Sequence, residues 1–418
     1  MRELWGVLAR QRDYRLLLSA GLISLTGDWI LRTGLVFRVY AETGSTLASG
    51  GLLLASFVPT VVLGSLAGVF VDRWDRRRAM IVLNLLNALA LLPLLSVRDE
   101  RTIWIAYLVV LAQSCLQQFF VPAEQSLIPE LIEPRRLLTA NALNSQIRDV
   151  ARLLGAALGG VLAAAGGLAL LALTDAATFL VAAALVRRVR HRAVRAPIVR
   201  ATGAVRRLAT EWADGLRLCT AGRAMRALFV FALVTQVGEG LMSTLFAPFV
   251  RTELGGDAQV YGLIVSSQAV GGIVGGLVAA AVGSRLSAAT MWGAGAALFG
   301  LVDLTLFCYP LVSDSLVPAF VCMILVGIPG AFTVAGSMTV LQRLTQDASR
   351  GRVLGALGAV EGAAVLVGIT SAGILGQVVG IIPVLVFQAL GYLLGGVFIL
   401  TCRHLLTPSM PKTAVQLV

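Results

Sequence analysis

The sequence predicts an all-α, polytopic membrane protein with twelve transmembrane helices. Of its 418 residues, 57% are hydrophobic and 13% are charged, whereas roughly a quarter of a typical soluble chain is charged. Apolar runs of about 18 residues or more recur along the whole chain, and each can cross a bilayer as a helix. Basic residues concentrate in alternate short connections between these runs. Together these observations favour a membrane protein over any soluble fold.

The apolar runs define the predicted spans in order. They cover residues 16–39, 47–71, 79–97, 103–122, 140–164, 168–186, 226–250, 258–283, 288–309, 316–341, 353–378 and 380–402. Arginines lie in every second connection, whereas the opposite connections, such as Tyr40–Thr46 and Gly166–Gly167, hold few or no cations. By the positive-inside rule we expect cytoplasmic amino and carboxyl termini and a multi-pass protein of a bacterial inner membrane.

One long connection divides the spans six and six. It carries ten arginines, and Leu208, Trp212 and Leu216 form an apolar stripe with a spacing of four. This pattern predicts an amphipathic helix that lies in the membrane interface. The predicted domains are an N-terminal six-helix bundle (1–186), a basic cytoplasmic linker (187–225) and a C-terminal six-helix bundle (226–418).

The two halves repeat at a constant offset of 211 residues. The matched pairs are Gly27–Gly238, Asp28–Glu239, Glu42–Glu253, Gly44–Gly255, Gly51–Gly262 and Gly64–Gly275. Two six-helix halves with the same topology form a parallel repeat, and transporters of this plan bind their substrate near the membrane midplane between the halves. The repeat therefore predicts a pseudo-symmetric transporter.

The turn after the second span, "GSLAGVFVDRWDRRRAM" at 64–80, changes abruptly from small apolar residues to a cluster of charge. It resembles the signature loop of the major facilitator superfamily, G-x-x-x-D-R-x-G-R-[RK], with Asp75 in place of the second glycine. The segments "DRWDRRR", "SLIPELIEPRRLLTANAL" and "RGRVLGALGA" resemble its macrolide-efflux and drug:proton antiporter branch, to which siderophore exporters are also similar. The resemblance implies the major facilitator fold and secondary transport.

The signature loop suggests a gate. Glycines four apart on the second span allow close approach of a neighbouring helix. The resemblance implies that Asp72 meets the positive amino-terminal end of the eleventh helix, near Arg352. The alternative is that the arginine cluster serves only to anchor the topology. The predicted gating residues are Gly64, Gly68, Asp72, Arg73, Arg76 and Arg77.

Ionisable residues within the spans are candidates for ion coupling, because each costs roughly 2.5–3.5 kcal/mol on insertion scales. Arg32 follows Asp28 by four residues, so that the two can pair on one helix face. Pairing favours the ionised carboxylate and burial the neutral acid, and a balance between them allows a proton to load and leave. The alternative is a structural ion pair. Glu239 is the equivalent of Asp28 in the second half.

The fifth span places Arg148 and Arg152 on one stripe with Gly155 and Gly159. The stripe resembles the antiporter motif G-P-x-x-G-G, with Ala156 in place of the proline. We predict that these arginines pair with Asp149, Asp175 or Glu361, either as structural pairs or as a proton relay. The predicted coupling residues are Asp28, Arg32, Arg148, Asp149, Arg152, Glu239 and Glu361.

The resemblance also implies that the first, fourth and seventh helices line a central cavity. On these spans we predict substrate contacts from Trp29, Gln113, Gln117, Gln236 and Phe246, with ordinary packing as the alternative role for each.

Together these features predict a secondary active exporter. The only lysine, Lys412, is in the terminal tail, so the chain lacks the phosphate-binding lysine of an ATP-driven pump. We expect proton-coupled antiport of a macrolide-like drug or natural product, or alternatively export of a siderophore or lipid-like anion. An enzyme or scaffold is disfavoured, and we expect no cofactor, metal or nucleic-acid partner. The expected partners are a small-molecule substrate, protons and membrane lipids, and the expected state is a monomer.

Overall fold

The structure is a computed structural model that describes residues 11–71, 74–98, 100–133, 137–190, 222–283, 285–345 and 347–406. The described residues are almost entirely α-helical and form no β-strand. The helix Leu137–Arg187 is interrupted at Gly167 (φ 59°, ψ −152°), and we number its two segments α5 and α6. The other helices are α1 Arg12–Thr43, α2 Thr46–Val71, α3 Arg76–Ala90, α4 Trp104–Leu131, α7 Arg223–Thr252, α8 Ala258–Val282, α9 Ala288–Cys308, α10 Val317–Leu344, α11 Asp347–Val378 and α12 Ile381–Thr401.

The prediction of an all-α membrane protein is confirmed. Within the described ranges, ten helices are long and apolar enough to cross a membrane, with α5 and α6 counted as one. The first helix is outside this set and carries Asp28, Arg32 and Arg38 along its length. The number of twelve spans therefore stays a prediction for α1 and for the division of α5 from α6.

Helix boundaries follow from local capping chemistry. Gly44 ends α1 with a left-handed φ of 62°, and its N–H donates to the carbonyl of Tyr40. Gly255, which follows α7, has the same φ of 62°. Glycine adopts this conformation without steric cost. The two glycines are one of the pairs matched at the offset of 211 residues, and their shared conformation agrees with the predicted repeat.

The first six helices and the last six contact each other at one end of the molecule, where α1 ends and α2 begins. We call it the α1–α2 end. Helix α2 meets α11 there, and Thr46 Oγ1 donates to the Gly373 carbonyl over 2.8 Å. Helix α5 meets α8, and Ser266 Oγ donates to the Leu153 carbonyl over 2.7 Å. Gly160 permits this approach, because a Cβ there would lie only 2.4 Å from the Ala258 carbonyl oxygen.

An aromatic cluster fills the same end. Phe37 of α1 and Tyr261 of α8 have ring centroids 5.7 Å apart, and Phe246 of α7 lies 6.0 Å from Tyr261 and 6.2 Å from Phe249. Phe249 meets Phe307 of α9 edge to face at 5.4 Å. All five rings are buried. The cluster therefore adds a packed apolar layer to the contacts between the two sets of helices.

The predicted linker is largely beyond the described part of the chain. Helix α6 ends at Arg187 and α7 begins at Arg223, whereas residues 191–221 lie outside the described residues. The predicted interfacial helix, with Leu208, Trp212 and Leu216, is among them. The division into domains at 187–225 stays a prediction.

Candidate functional site

A cavity of about 330 Å³ lies among the first four helices. It brings together four of the predicted residues, Asp28 and Arg32 of α1 with Gln113 and Gln117 of α4. Its apolar wall comes largely from α1 and α2, and Asn87 of α3 adds a further amide. Ligand sites typically combine an apolar wall with a few placed polar groups. This cavity has that composition.

Asp28 and Arg32 line the same cavity but form no ion pair, so the predicted pairing is wrong. The Arg32 guanidinium instead lies over the Trp29 ring, with Cζ 5.2 Å from the ring centroid. Arg152 of α5 approaches the same ring at 6.0 Å. Cations are attracted to the negative face of an indole. Trp29 therefore positions two arginines and does not line the cavity.

The second half contributes the opposite charge. Glu239 of α7 lies within electrostatic reach of Arg32 and Arg152, which belong to the first six helices. Asp149 also acts on Arg152. The Arg32 and Glu239 side chains are both accessible. A layer of opposite charges thus lies between the two sets of helices, next to the cavity that holds Asp28.

The partners predicted for Arg148 are not the ones that the structure gives. Arg148 acts on Glu124 of α4, a residue that the sequence did not single out because its partner comes from a distant helix. Glu361 of α11 lies in a second cavity of about 220 Å³. Gln236 and Tyr392 line this second cavity as well. Two predicted residues, Glu361 and Gln236, therefore line the same cavity, away from Arg148 and Arg152.

Phe246 does not line either cavity in this conformer. Its ring belongs to the aromatic cluster, and only 4% of the residue is exposed. Its contact with substrate stays a prediction, because a position on the seventh helix does not define which side of the helix faces the cavity. Phe246 instead helps to close the α1–α2 end.

The signature loop is described in part. Gly64 and Gly68 are in α2, whereas Asp72 and Arg73 lie outside the described residues. Arg76 forms an ion pair with Glu130 of α4. Arg77 donates from Nε to the Val186 carbonyl over 3.3 Å and also to the Arg187 carbonyl. These contacts attach the loop to α4 and to the end of α6.

Asp75, which replaces the glycine of the superfamily pattern, has a structural role of its own. Its side chain caps α3 and accepts a hydrogen bond from the Arg78 N–H over 2.9 Å. Aspartate is among the best residues at this position because its carboxylate satisfies a free N–H of the first turn. Asp75 therefore gives up the conformational freedom of glycine at this position and caps α3 instead.

The sequence named Asp175 only as a possible arginine partner and did not single out Asp303, but the structure buries both aspartates. Asp175 of α6 is fully buried against α1, where a Cβ on Gly27 would lie 2.3 Å from its Oδ1. Asp303 of α9 is 1% exposed and accepts from Gln388 Nε2 over 3.0 Å. Asp303 is an acidic residue in mid-span, so the criterion that selected Asp28 also selects it.

Metal binding has no candidate in the described residues. No group of three or more His, Cys, Asp or Glu side chains among them is arranged to hold an ion.

Comparison with known proteins agrees with this architecture. A family model described as "Transmembrane secretion effector" matches residues 5–414. The chain is 27% identical to the multidrug efflux pump Tap of Mycolicibacterium fortuitum over 91% of this chain and 93% of that one. It is 22% identical to the staphyloferrin A transporter of Staphylococcus aureus over 80% and 83%. Macrolide efflux protein A of Streptococcus pyogenes is 27% identical, but the match covers only 34% of this chain and 35% of that one.

Solved structures share the fold at low sequence identity. A bacterial homologue of the iron transporter ferroportin in its inward-facing state gives a TM-score of 0.74 at 17% identity, over 93% of this chain and 98% of that one. The outward-facing state gives a TM-score of 0.63 at 18% identity, over 94% and 99%.

Proposed function

Because this chain belongs to the transmembrane secretion effector family of major facilitator transporters, we propose that it is a secondary active exporter that exchanges protons for a bulky hydrophobic or cationic compound. The proposed substrate class is a macrolide-like antibiotic or natural product. One observation carries the proposal. Asp28 is a carboxylate on the wall of an amide-lined cavity, and it has no ion-pair partner among the described residues.

The cavity suits an amphiphilic compound. Gln113, Gln117 and Gln118 offer amide donors and acceptors, and Phe57 belongs to the apolar wall. Such a surface binds apolar rings by burial and orients their polar substituents by hydrogen bonds. This composition supports a substrate that combines both kinds of surface.

Asp28 supplies the proposed coupling. An unpaired carboxylate accepts one positive charge at a time, from a proton or from a cationic substrate. Binding of one therefore favours release of the other, and this competition is the requirement for antiport. The membrane potential adds a driving force of about 2.3 kcal/mol for each charge moved across 100 mV. Ionisable groups within membrane helices commonly have such roles.

The direction of opening follows from the predicted topology. If the termini are cytoplasmic, contacts at the α1–α2 end close the outer side, and this conformer opens toward the cytoplasm. The higher TM-score to the inward-facing ferroportin homologue supports this assignment. In the opposite conformer, Asp72 and Arg73 are proposed to close the inner side, with Arg76 and Arg77 holding their loop against α4 and α6.

A second candidate function is export of a siderophore or lipid-like anion. Arg32 and Arg152 converge on Trp29, and Arg152 Nε is buried without a hydrogen-bond partner among the described residues. An anionic group of the substrate would satisfy that donor. Under this alternative, the arginines bind the substrate and Asp28 has a secondary role.

The test is accumulation of a panel of fluorescent and labelled drugs in an efflux-deficient bacterial host. Wild type is compared with Asp28→Asn and Asp72→Asn at matched expression, with and without a protonophore. Glu42→Gln is the matched control, because it removes one negative charge from the exposed end of the same helix.

Lower drug accumulation with wild type and with Glu42→Gln, abolished by the protonophore and by Asp28→Asn, is the expected result. Unchanged accumulation of every drug by well-expressed wild type would contradict drug export. Retained export by Asp28→Asn would contradict the proposed coupling residue. If no drug is exported, a labelled carboxylate siderophore tests the alternative function of anion export. Arg152→Gln is then expected to be the inactive variant.

A further inference from the structure

Asp303 of α9 and Gln388 of α12 form a buried polar pair in the second half of the chain. Asp303 is 1% exposed and Gln388 is 2% exposed. The Gln388 amide donates from Nε2 to Asp303 Oδ2 over 3.0 Å. Near the pair the two helices approach closely at glycine, because a Cβ on Gly300 of α9 would lie 2.3 Å from the Leu393 N and 2.5 Å from the Ala389 carbonyl oxygen of α12.

Among the described residues, no positive charge compensates Asp303. None of the ion pairs of the described residues includes it. The charged group that acts on it is Glu239 of α7, which has the same sign when ionised. The other titratable groups near it are the Cys322 thiol of α10 and the Tyr392 hydroxyl of α12. An ionised carboxylate buried without a counter-charge is strongly disfavoured, and a bound proton removes that penalty.

The Gln388 amide can form a hydrogen bond with both the ionised and the protonated form of Asp303. Gln388 Oε1 is buried and has no hydrogen-bond partner among the described residues. When Asp303 is ionised, the Nε2–H group donates to its carboxylate, as observed. When Asp303 carries a proton, rotation of the amide by half a turn places Oε1 to accept the new O–H, because the two ends of an amide are nearly equal in shape.

The pair also adjoins the helix that carries Glu239. A Cβ on Gly238 would lie 3.0 Å from Gln388 Cγ, so α7 packs against the aliphatic part of the Gln388 side chain. Gln388 and Gly238 line the inner wall of an apolar crevice of about 450 Å³ between α7 and α12. The Gln388 side chain therefore contacts both Asp303 and α7.

We propose that Asp303 and Gln388 form a second proton-binding site, located in the last six helices and separate from Asp28. The inference rests on the proposed proton-coupled export for its purpose, and on the buried pair for its chemistry. The proton binds Asp303 and the Gln388 amide reverses its hydrogen bond. Release of the proton restores the observed arrangement.

The test is infrared spectroscopy of the full chain in lipid membranes over a series of pH values, with the side-chain carboxyl carbon of aspartate isotopically labelled. Labelling separates aspartic acid from glutamic acid carbonyl bands. The expected spectra contain a protonated aspartic acid band that changes with pH, is lost in Asp303→Asn and persists in Asp28→Asn. Gln388→Leu is expected to retain this band and move it to higher frequency, because the acid loses a hydrogen bond.

Wild-type bands that are all retained in Asp303→Asn at every pH would overturn the inference, as would an Asp303 band that never changes with pH. If Asp303→Asn does not fold, Gln388→Leu decides alone, and an unmoved band overturns the proposal. The measurement needs no transported compound. The inference can therefore fail while proton-coupled export stands, and it can succeed if no exported drug is found.

Discussion

The glycine at the contact between α5 and α8 gives a direct test of how the α1–α2 end is held closed. A Cβ on Gly160 would lie 2.4 Å from the Ala258 carbonyl oxygen and 3.1 Å from the Cα atoms of Gln259 and Gly262. These are backbone atoms, which cannot rotate away. Gly160→Ala must therefore separate the two helices by about 0.6 Å to restore the shortest separations that Cβ atoms show.

Overpacking of this kind costs typically about 1–3 kcal/mol. The cost applies only where α5 and α8 are in contact, so it destabilises the closed α1–α2 end and not the open conformer. An energy of that size changes a conformational ratio by about 5- to 150-fold. The helix propensity gained on replacing glycine with alanine, roughly 1 kcal/mol, is present in both conformers and cancels.

Crosslinking across the α1–α2 end measures the ratio of closed to open conformers. Gln377 Nε2 donates to Ser45 Oγ over 3.1 Å, so cysteines at these two positions, in a background without the five native cysteines, report on closure with a short bifunctional thiol reagent. Gly272→Ala in α8 is the matched control, because a Cβ there meets nothing within 4 Å. Slower crosslinking is expected in Gly160→Ala only. Equal rates in the two variants, at equal amounts of folded protein, would refute the reasoning.

Substitutions at four further positions test the packing and capping. Gly27→Ala is expected to lower the free energy of unfolding by about 1–3 kcal/mol, because its Cβ would lie 2.1 Å from Thr178 Oγ1 and 2.3 Å from Asp175 Oδ1. Gly238→Ala is expected to lower the free energy of unfolding by less, because the nearest contact of its Cβ would be 3.0 Å. Equal losses of unfolding free energy for the two variants in denaturant titrations would contradict this. Trp29→Ala removes two cation–π contacts worth about 0.5–2 kcal/mol each and is expected to lower the melting temperature more than Trp29→Phe. Asp75→Ala removes the α3 cap at a cost of about 1 kcal/mol, and Asp75→Asn should retain most of that stability in the same melting assay.

The sequence predicted the helices well because membrane helices are encoded in long apolar runs. The described helices follow the predicted spans within a few residues at most ends. Even the break between 164 and 168 lies where Gly167 interrupts the helix. The signal is strong because each span must satisfy its backbone hydrogen bonds internally and place apolar side chains toward lipid.

The candidate site was predicted less completely, because pairing depends on rotamers and on neighbouring helices. A spacing of four placed Arg32 on the same face as Asp28, but the Trp29 ring offered the guanidinium a competing contact. The same limitation applies to Arg148, whose partner Glu124 comes from another helix. Composition and spacing identify which residues are costly to bury, whereas tertiary packing decides what they contact.

The contacts that close the α1–α2 end are neutral. Among the described residues they include the hydroxyl-to-carbonyl hydrogen bonds from Thr46 and Ser266, the Gln377–Ser45 hydrogen bond, close backbone approach at Gly160, and the aromatic cluster. Interactions of these kinds are little affected by ionic strength, since salt screens charges and not dipoles or dispersion. The rate of opening at this end should therefore be nearly independent of external salt. The part of the opening barrier that these contacts set is therefore the same in dilute and in saline surroundings.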